Sequence, residues 1–192
     1  MTNSQKTLTC PDTGLSLDDF VPDRPKPSPR TAVPGHQIAP VSELIDGLTA
    51  SPLTGNADER GSLFELLTTR DGPIEPIVHV YQVKAAPGSI RAWVYHRHQF
   101  DRLAFTMGQF EVVLYDCRPD SPTLNRLNVF ALGAQQPTLL RIPPFVIHGV
   151  CNRGKETGYF VNMPTMPYFR DRPDKSRLPY GDARVPYVFD VR

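Results

Sequence analysis

The stretch RAWVYHRHQFD (91–101) carries the side chains best suited to chemistry, because two histidines and an aspartate follow a run of strand-forming residues. On a β-strand every second residue shares a face, so Val94, His96 and His98 are expected on one side. Imidazole can exchange a proton near neutral pH and is also a common metal ligand. The stretch therefore allows a metal site, a proton-transfer site or a strand end with two ordinary polar residues.

A second histidine-bearing segment is IPPFVIHGVCN (142–152), in which His148 follows a Pro-Pro corner. Together with His96, His98 and Asp101, His148 would supply three imidazoles and one carboxylate. That ligand set is typical of sites for iron, manganese, nickel or zinc. The spacing of the two segments resembles the double motif of the cupin superfamily, although the acid here is an aspartate where metal-binding cupins have a glutamate.

The overall composition argues against several classes of function. The chain has 192 residues with 21 Lys and Arg against 20 Asp and Glu, which gives no electrostatic case for nucleic acid or a membrane surface. No apolar run reaches the roughly 20 residues that a membrane helix needs. The N-terminus lacks the pattern of a secretory signal, and three widely spaced cysteines favour a reducing cytoplasm over a disulfide framework.

Proline-rich sequence separates two parts of the chain. Residues 1–40 include VPDRPKPSPRTAVP and few large apolar side chains, which predicts a flexible Pro-rich N-terminal arm. An arm that wraps around a neighbouring subunit is the alternative. Residues 41–192 are predicted to form a single domain.

Within that domain, short runs of β-branched and aromatic residues alternate with Gly, Pro, Asp and Asn. The runs are 61–69, 77–85, 89–98, 102–108, 110–118, 126–132, 137–144, 145–152 and 158–165. No window shows sustained helical periodicity. Strands this short and numerous predict an all-β jelly-roll barrel, and the Pro-, Arg- and Asp-rich sequence from residue 166 predicts an irregular C-terminal cover.

The chain from about residue 45 to 187 resembles the dTDP-4-dehydrorhamnose 3,5-epimerase family. Matching segments occur in the same order along the chain: DERGSLFE (58–65), YQVKAAPGSIRAW (81–93), VVLYDCRPDSPT (112–123), IPPFVIHGV (142–150), NMPTMPY (162–168) and RVPY (184–187). The resemblance implies a cupin-type double-stranded β-helix that acts on a nucleotide-linked 4-keto-6-deoxy sugar without a cofactor. It also implies a homodimer that exchanges N-terminal strands.

The resemblance further implies roles for individual residues. Substrate-binding positions of the family fall on Arg60, Glu65, Gln82, Arg91 and Arg102. A guanidinium suits a diphosphate because its planar fork donates two parallel hydrogen bonds. His148 matches a histidine that lines the sugar pocket, and Tyr168 matches the tyrosine credited as the acid on the opposite face of the sugar.

One position departs from the family pattern, because the family's catalytic histidine falls on Val94. That histidine removes protons from C3 and C5 of the sugar, and a positioned base of this kind contributes roughly 10²–10⁴-fold to the rate. An isopropyl group can neither accept nor donate a proton. His96 lies two residues further along the same strand face, about 7 Å away, and is the candidate replacement.

Three interpretations of the sequence remain open. The first is an epimerase or isomerase that transfers protons with His96, His148 and Tyr168. The second is a catalytically impaired relative that still binds a nucleotide sugar. The third is a metal-dependent cupin that uses the four-residue set of His96, His98, Asp101 and His148.

Overall fold

Twelve β-strands and no α-helix are found in residues 43–70 and 72–190, the part of the chain that the computed structural model describes. The strands are β1 (Thr49–Pro52), β2 (Gly55–Asp58), β3 (Gly61–Phe64), β4 (Tyr81–Ala85), β5 (Ile90–His96), β6 (Asp101–Met107), β7 (Gln109–Asp116), β8 (Leu127–Gly133), β9 (Thr138–Ile142), β10 (Val146–Asn152), β11 (Gly158–Asn162) and β12 (Lys175–Arg177). The predicted arm, residues 1–40, lies outside the described residues. Within these ranges no helix is long and apolar enough to cross a membrane.

Two antiparallel five-stranded sheets form the body of the fold. One has the strand order β1-β9-β6-β11-β4, and the other has the order β12-β5-β10-β7-β8. Strands β2 and β3 form a separate hairpin. This arrangement confirms the predicted all-β jelly roll, and it places β5 and β10 in one sheet and β4, β6 and β11 in the other.

The predicted strand run 77–85 forms a strand only from Tyr81 onward. Ile77, Val78 and Val80 have strand-forming side chains, yet they are 53%, 48% and 54% exposed. In the described part of the chain no strand pairs with them. Branched side chains favour extended backbone, but a strand also needs a pairing partner.

Strands β1 and β2 carry little strand signal in the sequence. Their sequences, TASP and GNAD, contain Pro, Gly, Asn and Asp, which are depleted in strands. β1 forms because β9 offers it a free edge, where Thr49 stands opposite Arg141. Pairing decides both elements: β1 pairs with the distant strand β9, and β2 pairs with β3, the next strand along the chain.

Two apolar clusters hold the sheets in place. Phe105, Phe110 and Phe160 meet between the sheets, with ring centroids 5.0–5.6 Å apart. On the outer side of β5, Trp93 stacks on Phe189 of the C-terminal segment with centroids 5.4 Å apart. The C-terminal segment is irregular, as predicted, except for β12, which pairs with β5 and completes one wall of the site.

The turn after β7 is organised by the buried carboxylate of Asp116. One oxygen accepts hydrogen bonds from Arg118 Nε at 2.8 Å and the other from the hydroxyls of Ser121 and Thr123, both at 2.6 Å. Burial by itself would raise the pKa of Asp116, but these hydrogen bonds outweigh it and hold the pKa well below its ordinary value. The folded state therefore favours the charged form.

The Asp116→Asn variant should lower the free energy of unfolding at pH 7 by about 1–3 kcal/mol, because a buried hydrogen-bonded carboxylate is removed. Since the pKa of Asp116 is lower in the folded than in the unfolded chain, its stabilisation is present above about pH 4 and declines below that value. Urea unfolding should be measured at pH 7 and at about pH 3. The difference in free energy of unfolding between the variant and the native protein should be smaller at the lower pH. Asp120→Asn in the same exposed turn is the control, and an equal difference at both pH values would contradict the account.

Candidate functional site

Two adjoining cavities form a cleft between the two five-stranded sheets. The strand-lined cavity has a volume of about 290 Å³, and the loop-lined cavity has a volume of about 470 Å³. The strand-lined cavity is lined by Tyr81, Val83, Ile90, Arg91, Ala92, Val94, His96, Asp101, Leu103, His148, Val150, Phe160, Asn162, Lys175 and Arg177. The loop-lined cavity is lined by His79, Tyr81, His96, Gln99, Pro164, Met166, Pro167, Tyr168, Arg170, Asp174, Lys175 and Arg177. The shared residues Tyr81, His96, Lys175 and Arg177 make the two cavities one continuous cleft.

Two buried histidines share one carboxylate in this cleft. His96 ends β5 and His148 lies on the adjacent strand β10, where it stands opposite Val94. Nε2 of His96 is 3.2 Å and Nε2 of His148 is 3.3 Å from the same oxygen, Asp101 Oδ2. Asp101 begins β6 in the facing sheet, so this contact joins the two sheets across the cleft.

The other oxygen of Asp101 is bound by two side-chain amides. Gln99 Nε2 donates to Asp101 Oδ1 at 2.8 Å and Asn162 Nδ2 donates to it at 3.0 Å. Burial alone would raise the pKa of Asp101, but the hydrogen bonds and charges of His148 and His96 outweigh burial and hold the pKa well below its ordinary value. Asp101 is therefore a fixed negative charge between the imidazoles.

The tautomer of His148 follows from its second contact. Its Nδ1 is 3.1 Å from the Val146 carbonyl oxygen, which can only accept, so Nδ1 carries a hydrogen. Nε2 faces Asp101 Oδ2 and the cleft. In the protonated ring Nε2 donates a hydrogen bond to that carboxylate, and in the neutral ring it carries a lone pair. That atom can take up a proton or bind a metal ion.

His96 has a second carboxylate on its other side. Its Nδ1 lies 3.6 Å from Asp174 Oδ2, and it has no hydrogen-bond partner among the described residues. Asp174 accepts from three consecutive backbone N–H groups, those of Arg97, His98 and Gln99, at 3.1–3.3 Å. Burial would raise the pKa of Asp174, but these bonds lower it, so the carboxylate stays charged beside His96.

Three of the four residues of the predicted metal set come together. Ligand atoms of His96, Asp101 and His148 lie within 4.8 Å of one another. The prediction that His98 shares their face is wrong, because β5 ends at His96 and His98 is exposed. Nε2 of each histidine lies 3.2–3.3 Å from the shared carboxylate oxygen, close to the roughly 3.4 Å between two ligands of a tetrahedral zinc ion. The three residues therefore fit a divalent ion.

The predicted substrate-binding residues divide between the cleft and other places. Arg91 lines the strand-lined cavity, and Tyr168, which is 58% exposed, lines the loop-lined one. Arg102 is buried outside both cavities, where its guanidinium donates to the carbonyl oxygens of Met163, Glu75 and Pro76. The Arg102 side chain points away from the cleft because successive side chains of a strand lie on opposite faces. Its neighbours on β6, Asp101 and Leu103, face the cleft.

Three more predicted substrate-binding residues lie away from the cleft of their own chain: Arg60, Glu65 and Gln82. Arg60 pairs with Asp58, and Glu65 pairs with Arg70. Gln82 is exposed on β4 between two residues that face the cleft, so its side chain lies on the opposite face of the sheet.

Sequence reasoning missed several residues of the cleft. Lys175 and Arg177 on β12 stand opposite His96 and Val94 and bring positive charge to both cavities. A three-residue strand within a Pro- and Arg-rich segment gives no periodic signal that could have placed them. Tyr81 lies in a predicted strand run, but no sequence motif indicated that its side chain belongs to the site.

Comparisons with known proteins agree with this architecture. No protein-family model matches the chain. The chain is 35% identical over 148 residues to the spore coat polysaccharide biosynthesis protein SpsL of Bacillus subtilis, an alignment that covers 77% of this chain and 98% of that protein. It is 38% identical over 141 residues to the probable low-salt glycan biosynthesis epimerase Agl13 of Haloferax volcanii, with 71% and 88% covered.

Solved structures show the same similarity. A dTDP sugar isomerase from Desulfovibrio desulfuricans superposes with a TM-score of 0.71 at 27% identity, over 77% of this chain and 95% of that chain. A dTDP-4-dehydrorhamnose 3,5-epimerase from Bacillus anthracis, solved with TDP and PPi bound, shares the fold with a TM-score of 0.66 at 21% identity, over 76% and 86%. These relatives and the cleft between the two sheets show that the chain belongs to the dTDP-4-dehydrorhamnose 3,5-epimerase family of cupin-fold proteins.

Proposed function

We propose that this protein is an epimerase or isomerase that moves a proton at a carbon beside the ketone of a nucleotide-activated 4-keto-6-deoxy sugar. A dTDP-linked sugar of deoxysugar biosynthesis is the proposed substrate. The observation that carries the proposal is the buried pair of His96 and His148 on Asp101, at the wall of a cleft between the two sheets. The names of the relatives, which include an epimerase and a dTDP sugar isomerase, support the substrate class.

The chemistry needs a base and a positive environment. A carbon beside a ketone is a weak acid, and its deprotonation leaves an electron pair that moves to the carbonyl oxygen as an enolate. His96 takes the place of the base that Val94 cannot supply, with His148 as the second imidazole. Lys175 and Arg177 line both cavities and provide the positive charge that favours an enolate.

The rest of the cleft suits a nucleoside diphosphate. Lys175 and Arg177 sit at the junction of the two cavities, and Arg91 and Arg170 lie further along their walls. Guanidinium and ammonium groups are the side chains that bind phosphate in proteins. The substrate's own ketone acidifies its neighbouring carbons, so no cofactor is required.

Solvent deuterium exchange into dTDP-4-keto-6-deoxyglucose, followed by NMR at C3 and C5, tests the proposal. The native protein should introduce deuterium, and His96→Gln should slow the exchange by roughly 10²–10⁴-fold because a positioned base is lost. His98→Gln is the matched control, since His98 is exposed beyond the end of β5, and it should exchange at the native rate.

A native protein that introduces no deuterium above the buffer rate would contradict an enzymatic role. If calorimetry then showed tight binding of the nucleotide sugar, the protein would be the impaired binding relative that Val94 suggests. Weak binding together with no exchange would contradict the substrate class as well.

A second candidate function is a metal-dependent reaction, favoured by the fit of His96, Asp101 and His148 to a divalent ion. When bound, such an ion would act as a Lewis acid on a ligand oxygen. His148 already donates its Nδ1–H to a backbone carbonyl, as metal-binding histidines commonly do.

Metal analysis separates the two candidates. For the proton-transfer enzyme, we expect exchange to survive dialysis against a chelator, because the histidines act without an ion. About one equivalent of metal in protein purified without added metal, its loss in Asp101→Asn and the loss of exchange after chelation would favour the metal-dependent enzyme. Elemental analysis and the NMR exchange assay provide the measurements.

We also propose a cytoplasmic homodimer. The thiols of Cys117 and Cys151 are free, which is typical of a reducing compartment. Among the described residues the β2–β3 hairpin pairs only with itself, and Leu63 on it is 62% exposed. A dimer that exchanges this hairpin would carry Arg60 and Glu65 toward the partner's cleft, consistent with their family roles.

The Leu63→Glu variant should therefore shift the protein from dimer to monomer, because a charge would be buried in the exchanged interface. Size-exclusion chromatography with light scattering should report twice the chain mass for the native protein and 21.5 kDa for the variant. Val188→Glu is the control, since Val188 is 74% exposed in the C-terminal segment. A native monomer, or a dimer unaffected by Leu63→Glu, would argue against this interface.

A further inference from the structure

Tyr81 faces the histidine pair from the opposite sheet. It begins β4, at the edge of the sheet that also contains β6 and β11, whereas His96 and His148 lie on β5 and β10 of the other sheet. Tyr81 lines both cavities, as His96 does. A sugar ring held between the sheets would present one face to the histidines and the other face to Tyr81.

The hydrogen bonds around Asp101 fix the orientation of the Tyr81 hydroxyl. The ionised carboxylate can only accept, so the side-chain nitrogen of Asn162, not its oxygen, must face Asp101 Oδ1. The same nitrogen is 2.8 Å from the Tyr81 hydroxyl oxygen and uses its second hydrogen there. Tyr81 is thus the acceptor in that bond, and its own hydrogen remains available.

No oxygen within residues 43–70 and 72–190 accepts that remaining hydrogen. The hydroxyl is anchored through its lone pair by Asn162, while its O–H can turn toward the cavity. A network that runs from the two imidazoles through Asp101 and Asn162 therefore ends in a proton donor on the far wall.

We propose that Tyr81 is the catalytic residue that gives a proton to the sugar carbon on the face opposite His96 and His148. This inference rests on the proposed function and assigns the opposite-face acid to Tyr81 in place of Tyr168. Tyr168 is more exposed and lines only the loop-lined cavity, whereas Tyr81 shares the strand-lined cavity with both histidines.

The proton balance is complete without another reactant. A neutral imidazole removes the C–H proton, and the electron pair of that bond moves to the carbonyl oxygen. The enolate then takes the Tyr81 proton on its other face, which inverts the carbon and leaves a phenolate. The imidazolium releases its proton to solvent and the phenolate regains one from solvent, which restores the site.

Burial and the nearby charge of Asp101 raise the pKa of Tyr81 above its ordinary value. The hydroxyl therefore remains protonated in neutral solution, as an acid in this role must be. Because Tyr81 is 40% exposed, solvent can reach it between turnovers.

The experiment measures two quantities in D₂O on dTDP-4-keto-6-deoxyglucose: deuterium incorporation beside the ketone and inversion of the labelled carbon, both by NMR. In Tyr81→Phe, inversion should fall by 10²-fold or more while incorporation persists, because the histidine can return deuterium to the face it deprotonated. Tyr159→Phe is the matched control, since Tyr159 lies on β11 and lines neither cavity, and it should leave both rates unchanged.

The outcomes distinguish this inference from the proposed function. A native protein without incorporation overturns both. If Tyr81→Phe inverts the carbon at the native rate, only the assignment of Tyr81 is overturned. This holds whether or not Tyr168→Phe loses inversion. If Tyr81→Phe does not fold, 3-fluorotyrosine at position 81 keeps the shape and changes the acidity. The ratio of inversion to incorporation should then change, and an unchanged ratio overturns the assignment.

Discussion

The contact of two imidazoles with one carboxylate organises the whole cleft. Asp101 belongs to one sheet and the histidines to the other, so their contact is both the chemical centre and a bridge across the fold. A buried carboxylate is costly unless every lone pair is engaged. Here two imidazoles and two side-chain amides surround Asp101, which explains why the polar side chains of Gln99 and Asn162 are buried beside it.

Part of this site could be read from the sequence. His96, His148 and Asp101 could be predicted as site residues from residue type alone, because imidazoles and carboxylates near strand ends are common in functional sites. The alternation of side chains along β5 predicted which residues share one face, and the prediction is correct for Val94 and His96, which both line the cleft. It fails at His98 because alternation ends where the strand ends, and residue types do not mark that point.

The remaining parts depend on tertiary pairing. Asp174, Lys175 and Arg177 reach the cleft only because a three-residue strand joins the edge of β5. Arg102 is a second residue whose surroundings could not be predicted from the sequence. Its match to a substrate-binding position of the family suggested a substrate contact, but its position one residue after Asp101 on β6 directs it to backbone carbonyls on the opposite face.

The three N–H groups that Asp174 binds lie within the short connection between β5 and β6. Both ends of that connection are site residues, so it acts as a rigid spacer between an imidazole and its counter-charge. An added or deleted residue would displace both groups at once. Across descendants of this chain, we therefore expect this connection to vary in composition but hardly in length.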